Sequence, residues 1–244
     1  MKWNLTEEQI KHDQEVMEAL KQFDTPSITN VIASYPKDEN CLALYNPWYG
    51  RWYTDQTCKT IFPELGRLVG YAVTATFGLP DPNYTRGSSV GDVFDAIKES
   101  PQPVILVVKQ NMPKKIRTRN GLLGGNMMTA FKRAGIVGAI TDGASRDVDE
   151  VRLLKVQYMM TGVCAGHGDF SLQAINDTVD VCNMRVSPGE IIHMDENGAV
   201  KFPREYLDEV LTRAKALQKF EQKAQLLLTK ANSGKEIIDI LAGL

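Results

Sequence analysis

Several residue types that mark particular protein classes are scarce in this sequence. Its 244 residues include four cysteines, none in a Cys-x-x-Cys pair, and three histidines without metal-ligand spacing. This pattern disfavours a zinc site. The formal net charge at pH 7 is -2. The sequence therefore lacks the basic surface that a nucleic-acid partner would need.

Long apolar runs are also missing. The N-terminal segment MKWNLTEEQIKHDQE is too polar for a signal peptide. No apolar run approaches the roughly 20 residues of a membrane-spanning helix, so we expect no membrane partner. We expect a cytoplasmic protein whose cysteines are free thiols. Hydrophobic residues make up 43% and charged residues 24%, which is typical of a globular protein of this length.

The middle of the chain alternates between strand and helix patterns. Pro103–Lys109 is a continuous apolar run, typical of a strand buried on both faces. Gly124-Gly125 opens a helix that ends near Gly135, Ile136–Thr141 is the next strand, and a further helix begins at Asp147. This order predicts an α/β fold with a central, largely parallel β layer flanked by helices.

Further elements are predicted on both sides of this region. Thr6 and Gln9 form a capping box for a first helix, and Thr25 is predicted to cap a second. Asn197-Gly198 is a hairpin signal, and Gln110–Asn120 is predicted to be a basic loop. Strands are predicted at Arg67–Phe77, Val179–Val186, Ile191–Met194 and Ala199–Phe202. The predicted organisation is N-terminal helices at 1–35, a core at 36–202 and a helical extension at 203–244.

The segment Tyr45–Tyr53 is unusually aromatic, with the sequence YNPWYGRWY. Aromatic side chains are core and interface residues first, so we favour a loop that covers the core or contacts another subunit. The alternative is a lid that shapes a substrate pocket.

The Gly124-Gly125 pair is the first feature that points to chemistry. Glycines before a helix let a ligand approach the backbone, and the free N–H groups of the first helical turn favour an anion such as a carboxylate or phosphate. Glycine pairs between a loop and a helix are common, however, so this signal is weak alone.

Arg146-Asp147 is the second feature. Both residues follow a predicted parallel strand, where α/β folds place their ligand crevice. An arginine can grip a carboxylate with two hydrogen bonds, and an aspartate can hold Mg²⁺. The structural alternative is a capping box in which Asp147 caps the next helix and Glu150 reaches back to it. The two roles can also be divided, with Glu150 serving the helix and Asp147 facing the pocket.

The spacing of these features resembles a known signature. Gly125 is followed by twenty residues, then Arg146-Asp147, two residues and Glu150. This pattern, within LLGGNMMTAFKRAGIVGAITDGASRDVDE, resembles the RraA-like family, which includes the 4-hydroxy-4-methyl-2-oxoglutarate aldolases. The segments DTPSITNVI, GRLVGYAVTATF and VSPGEIIHMDENGAVKFP extend the resemblance over most of residues 20–220.

The resemblance implies a fold, an assembly and a site. It implies a single RraA-like α/β domain, assembled as a homotrimer or homohexamer with active sites between subunits. Arg146 would bind the substrate carboxylate or a developing enolate, and Asp147 would hold Mg²⁺ or Mn²⁺. Backbone N–H groups implied to bind the substrate carboxylate belong to Gly124, Gly125, Asn126 and Met127. Many family members have an acidic residue where this chain has Gly125, so the resemblance does not imply a second carboxylate in the pocket. The general base is left open between a metal-bound water and a carboxylate of the adjacent subunit.

The activity that this resemblance implies is metal-dependent cleavage of a C–C bond in a small 2-oxo acid. The reaction would be retro-aldol cleavage of a 4-hydroxy-2-oxo acid or decarboxylation of oxaloacetate, and either gives pyruvate. The metal would act as a Lewis acid, and Arg146 would stabilise negative charge. The alternative is a non-catalytic protein that binds and inhibits an RNA-processing endonuclease, as the namesake branch of the family does.

Three other side chains have weaker support. Lys109 could form a Schiff base in a metal-free aldolase, but a lysine at a strand end is usually solvated. His167 could act as an acid or base, although a loop histidine without a partner in sequence is more often incidental. Cys164 has no neighbouring base. A methyltransferase is disfavoured because no glycine-rich nucleotide loop follows the first strong strand.

Overall fold

The computed structural model describes residues 3–35, 40–81 and 89–242. Its α-helices are α1 (Glu7–Leu20), α2 (Thr25–Ile32), α3 (Val90–Lys98), α4 (Lys114–Arg117), α5 (Gly125–Ala134), α6 (Val148–Leu153), α7 (Leu207–Leu228) and α8 (Gly234–Leu241). Its strands are β1 (Lys59–Thr60), β2 (Leu68–Gly78), β3 (Val104–Asn111), β4 (Ile136–Thr141), β5 (Ala144–Ser145), β6 (Gln157–Met160), β7 (Gly162–Val163), β8 (Ser171–Ile175), β9 (Val179–Val181), β10 (Met184–Val186), β11 (Ile191–Asp195) and β12 (Gly198–Phe202). No helix in these ranges has the length and apolarity needed to cross a membrane.

One mixed sheet organises the described chain. Its order is β1-β6-β4-β3-β2-β11-β12, and β8 also pairs with β2. Strands β2, β3, β4 and β6 are parallel to their neighbours within this group, whereas β11 and β12 continue the sheet in antiparallel pairs. The α/β fold prediction is therefore confirmed. Because the parallel strands are covered on both faces, their sequences read as continuous apolar runs.

The two faces of the sheet have different covers. Val73 and Ala75 of β2 pack with Met128 and Phe131 of α5 in one apolar cluster. Ala72, on the opposite face of the same strand, belongs to a second cluster that includes the β9–β10 hairpin. This alternation follows from the two-residue period of a strand, and it leaves the loops after β3 and β4 free to build a site.

The terminal helices pack together against β2, β11 and β12. Residues of α1, α2 and α7 share a third apolar cluster with these strands. A buried polar pair reinforces it: Arg204 donates through Nε and Nη2 to both oxygens of Asp13, which also accepts a hydrogen bond from the Tyr71 hydroxyl. In contrast, none of the residues of α8 is buried.

Two details of the predicted elements were wrong. The segment predicted as one strand at Val179–Val186 is a hairpin, because Cys182 and Asn183 adopt left-handed backbone conformations that turn the chain. The predicted loop at Gln110–Asn120 contains α4. The alternating apolar pattern continues across the hairpin turn, so hydrophobicity alone does not reveal it.

The cap of α2 also differs from the prediction. Asp24, rather than Thr25, accepts the hydrogen bond from the Ser27 N–H group at 2.9 Å. Thr25 is buried and bonds instead to His193 Nδ1 at 2.9 Å, while its N–H group donates to Asp195 at 2.7 Å. Both side chains are good caps, so tertiary contacts decide between them.

The aromatic segment divides into a buried and an exposed part. Trp52 is buried and stacks on Tyr45 with ring centroids 5.4 Å apart. Trp48 and Tyr49 are 86% and 77% exposed. Their backbone N–H groups both donate to Asn46 Oδ1, which orders the backbone of this turn.

Candidate active site

Two turns at the carboxyl end of the parallel strands bring the predicted residues together. Gly124 precedes α5, and Asp147 precedes α6. The Gly125 N–H group donates to Asp147 Oδ2 at 2.9 Å, although the two residues are 22 positions apart. Two further hydrogen bonds hold the turn before α5 in place. The Leu123 carbonyl accepts them from Ser145 Oγ at 2.5 Å and from the Tyr158 hydroxyl at 3.3 Å. Burial raises the pKa of Tyr158, so its hydroxyl remains a donor.

Asp147 has an unusual backbone conformation for a non-glycine residue. Its φ and ψ are 58° and 42°, in the left-handed region, and its side chain makes no capping hydrogen bond to α6. The capping-box interpretation was therefore wrong. The left-handed turn directs the carboxylate to Gly125 instead of the first turn of its own helix. Aspartate tolerates this conformation better than most residues, and such conformations cluster at functional sites.

The Arg146 side chain lies across the two glycines Gly121 and Gly124. A Cβ added at Gly121 would lie 3.0 Å from Arg146 Cβ, and one added at Gly124 would lie 2.9 Å from Arg146 Nε. Arg146 Nε is buried and has no hydrogen-bond partner in the described part of the chain. Its separation from Asp147 Oδ2 is 3.5 Å. An unsatisfied buried donor costs on the order of 1–3 kcal/mol. The Arg146 side chain as a whole is 33% exposed, so a ligand oxygen can approach its guanidinium.

Glu150 is the site residue that the sequence interpretation missed. A Cβ added at Gly125 would collide with Glu150 Oε2, and one added at Gly124 would collide with Asp147 Oδ2. Two carboxylates therefore occupy the space beside the glycine turn that side chains would otherwise fill. The sequence feature that could have indicated Glu150 is the glycine at position 125. The absence of a side chain there leaves room for the carboxylate of another residue.

The start of α5 offers further donors. Gly124 has no side chain, and no side-chain cap bond is made at this helix end. The first N–H groups of a helix have no intrahelical acceptor, which leaves those of Asn126 and Met127 available for an anion. The N–H group of Gly125 already donates to Asp147. The predicted substrate-binding residues Gly124 to Met127 thus lie at the start of α5, but the Gly125 N–H group is not available to a substrate.

The metal-ligand chemistry of the site is carboxylate-based. No group of three or more His, Cys, Asp and Glu side chains that could hold a metal ion occurs in residues 3–35, 40–81 and 89–242. Magnesium, however, is commonly held by one or two carboxylates, with water and substrate oxygens completing its shell. Asp147 Oδ1 accepts no hydrogen bond from a described residue. Asp147, with Glu150 beside the same turn, therefore fits a cation of this kind.

The other predicted candidates lie elsewhere. Lys109 Nζ donates to Asp142 Oδ2 at 2.5 Å, and Arg117 donates to the same oxygen at 3.0 Å. These residues line a separate cavity of about 290 Å³. The Lys109 side chain is thus engaged by Asp142, whereas a Schiff-base lysine must be free to attack a substrate carbonyl. His167 and Cys164 lie in an open groove, which their loop shares with residues of the segment 115–120.

Comparison with known protein families gives one match that covers most of the chain. The family model described as Aldolase/RraA matches residues 43–201. The uncharacterized protein MJ0644 of Methanocaldococcus jannaschii is 30% identical over 118 residues, which are 48% of this chain and 57% of that protein. The match thus spans a little over half of the relative's own length.

Solved structures share the fold. An uncharacterized protein from Pseudomonas syringae pv. tomato superposes with a TM-score of 0.71 at 19% identity, covering 95% of this chain and 94% of that chain. RraAS2 of Streptomyces coelicolor, described as an unusual member of the RNase ES inhibitor RraA protein family, superposes with a TM-score of 0.65 at 22% identity, covering 86% and 96%. At these identities the likeness concerns the fold alone.

Proposed function

The chain belongs to the Aldolase/RraA family, and from this premise we propose that it is a divalent-metal-dependent lyase. Its reaction would cleave a C–C bond of a small 2-oxo acid to give pyruvate, by retro-aldol cleavage of a 4-hydroxy-2-oxo acid or by decarboxylation of oxaloacetate. The observation that carries the proposal is the buried Arg146 Nε, without a hydrogen-bond partner among the described residues, beside two carboxylates at the glycine turn.

Substrate binding follows from the unused donors. The substrate carboxylate would accept hydrogen bonds from the guanidinium of Arg146 and from the N–H groups of Asn126 and Met127. The charged guanidinium and the N-terminus of α5 both attract an anion. The Arg146 side chain is held against Gly121 and Gly124, so its charge is placed before substrate arrives.

Asp147 would hold Mg²⁺ or Mn²⁺, which supplies Lewis-acid polarisation of the 2-oxo group. The hydrogen bond from Gly125 fixes the Asp147 carboxylate and leaves its second oxygen for this role. As the C3–C4 bond breaks, its electron pair moves toward the 2-oxo oxygen. Arg146 lies 3.5 Å from Asp147 and would stabilise the growing negative charge there.

Glu150 would move the proton. In a retro-aldol cleavage a base must remove the proton of the C4 hydroxyl, and an acid must then protonate C3 of the pyruvate enolate. The Glu150 carboxylate beside Gly125 is available for both steps, since it makes no capping bond that would occupy it. Decarboxylation releases CO₂ without hydroxyl deprotonation and requires only the protonation of C3.

The test is pyruvate release from oxaloacetate and from 4-hydroxy-4-methyl-2-oxoglutarate, with Mg²⁺ or with EDTA. We expect release with metal only, and its loss in Asp147→Asn, which preserves the side-chain shape but removes the charge. Asp149→Asn, two positions along the chain and exposed, is the matched control and should retain activity. Release that persists in EDTA would contradict the metal-dependent mechanism.

The inhibitor alternative rests on the likeness to the Streptomyces protein, which concerns the fold alone. A folded chain that turns over neither substrate would contradict the lyase proposal for these 2-oxo acids and favour the inhibitor. Binding to an RNA-processing endonuclease would then be the property to measure.

A further inference from the structure

An open groove lies next to Arg146 but outside the residues assigned to the reaction. Its volume is about 750 Å³, and its lining residues are Lys115, Ile116, Arg119, Asn120, Cys164, Ala165, Gly166, His167 and Gly168. None of these is acidic, so the groove has an excess of positive charge. It is therefore suited to an anion.

The two cations of the groove differ from their neighbours in sequence. Lys109 and Arg117 both form ion pairs with Asp142, at 2.5 and 3.0 Å. Lys115 and Arg119 form no ion pair with any carboxylate in the described part of the chain, and both side chains are exposed in the groove. The first two cations thus share one carboxylate, whereas Lys115 and Arg119 are left for solvent or a ligand.

The glycines of the facing loop have no structural requirement that explains them. A Cβ added at Gly166 or Gly168 would meet no atom within 4 Å, and neither residue has a left-handed φ. The Gly168 N–H group donates to Asn120 Oδ1 at 3.2 Å, which ties the loop to the opposite wall. Glycine at these positions leaves space in which a ligand can approach the backbone.

The groove is connected to the reaction site through one residue. The Gly121 N–H group donates to the Gly166 carbonyl at 3.0 Å, and Gly121 also packs against the Arg146 side chain. The groove and the Arg146 side chain therefore lie on neighbouring sides of Gly121.

We propose that this groove binds a phosphate-type dianion, held by Lys115 and Arg119 against the Gly166–Gly168 loop. A tetrahedral dianion suits two cations and an open glycine loop better than a single carboxylate does, because it offers more acceptor oxygens in three directions. Where the lyase function holds, on which this step rests, the substrate would be a 2-oxo acid with a phosphate ester at its far end.

The binding test does not depend on catalysis. Inorganic phosphate would be titrated into the full-length protein and followed by ³¹P line broadening and by calorimetry. We expect saturable binding that weakens about tenfold in Arg119→Ala and in Lys115→Ala, since each removes a charge-assisted contact. Lys98→Ala, which removes an exposed lysine on α3, is the matched control and should bind as the wild type does.

Gly168→Ala separates ligand binding from folding. Its new methyl group has free space in the unliganded protein, so the thermal midpoint should stay unchanged while phosphate binding weakens. Absence of saturable binding, or binding that is lost in Arg146→Ala but unchanged in Arg119→Ala, would overturn the proposal, because the anion would then lie in the reaction site.

Two further arms identify the source of the anion. Malonate in place of phosphate should bind more weakly, and equal binding would show a carboxylate subsite and overturn the phosphate assignment. An organic phosphate monoester that binds as inorganic phosphate does supports a substrate end group. Because these readouts need no turnover, failure of the lyase proposal would leave them unchanged.

Discussion

The Arg146–Asp147 turn and the Arg204–Asp13 pair contain the same two kinds of side chain. In the Arg204–Asp13 pair, two guanidinium nitrogens donate to both carboxylate oxygens, and the Tyr71 hydroxyl donates as well. At the turn, Arg146 Nε lies 3.5 Å from Asp147 Oδ2 but has no hydrogen-bond partner within the described residues, and Asp147 accepts one hydrogen bond, from Gly125. Both carboxylate oxygens of Asp13 thus have donors within the chain, whereas at the turn Arg146 Nε has no acceptor among the described residues.

This difference distinguishes a structural ion pair from a site. A buried pair with complete hydrogen bonding resists rearrangement, and removal of one member leaves the other uncompensated. An incomplete arrangement contributes less to stability and more to binding. The four predictions below test whether the two regions divide stability and activity in this way.

The largest expected effect is on activity. Arg146→Ala should lower kcat/KM for pyruvate release by about 1000-fold, equivalent to about 4 kcal/mol, because a preorganised charge at a developing anion is a major catalytic contribution. Its urea unfolding midpoint should remain close to that of the wild type. A variant that unfolds more readily in proportion to its loss of activity would show that Arg146 is structural.

The converse effect is expected at the ion pair. Asp13→Ala should lower the free energy of unfolding by about 3 kcal/mol, since it leaves the Arg204 charge and the Tyr71 hydroxyl without their partner. Asp208→Ala, which removes an exposed carboxylate that pairs with His12, is the matched control, with an expected loss below about 1 kcal/mol. Equal losses in urea denaturation of the two variants would remove the distinction.

Glu150→Gln tests whether the Glu150 carboxylate transfers a proton in the reaction. It should slow retro-aldol cleavage by about 100-fold, because proton removal from the C4 hydroxyl needs the carboxylate. Decarboxylation of oxaloacetate should decrease less, since it lacks that step. The ratio of the two rates, measured on one preparation with Asp149→Asn as control, reports the proton role. An unchanged ratio would assign Glu150 to packing alone.

The smallest expected effect concerns pH and the buried His193. Burial lowers the pKa of His193 to about 4 from the ordinary 6.5. Below pH 6.5 the imidazole of His193 is protonated in the unfolded chain but stays neutral in the folded chain. The free energy of unfolding therefore decreases as the pH falls from 6.5 toward 4. The loss from this group between pH 7 and pH 5 should be about 2 kcal/mol in urea denaturation. His193→Gln should lose most of this dependence, and an equal pH slope in both proteins would exclude the histidine as its source.

The sequence predicted the parts of the fold that depend on local patterns. The apolar run after Pro103 and the segment Ile136–Thr141 form β3 and β4, and the capping box at Thr6 has the expected hydrogen bond from the N–H group of Gln9. The family spacing also placed Arg146 and Asp147 beside the glycine turn. The strands and the helix cap are set by residues close together in sequence, and the positions of Arg146 and Asp147 follow from a fixed spacing between two elements.

The remaining features depend on contacts between distant segments. The left-handed backbone of Asp147 is stabilised by Gly125, which is 22 residues away, so its local pattern falsely indicated a helix cap. The cap of α2 was assigned to Thr25, but Asp24 makes it. The Thr25 hydroxyl bonds instead to His193, which lies 168 residues further along the chain and is not visible in the local sequence. The basic segment 110–120 gave no indication of which cations pair with Asp142.

The collision between a side chain at position 125 and the Glu150 carboxylate also has an evolutionary consequence. A Cβ added at position 125 would collide with Glu150 Oε2, so a side chain there must displace the Glu150 carboxylate. We therefore expect the effects of substitutions at the two positions to be non-additive, and expect the two residues to have changed together during evolution. In urea denaturation, Gly125→Asp should destabilise the wild type more than it destabilises Glu150→Gly.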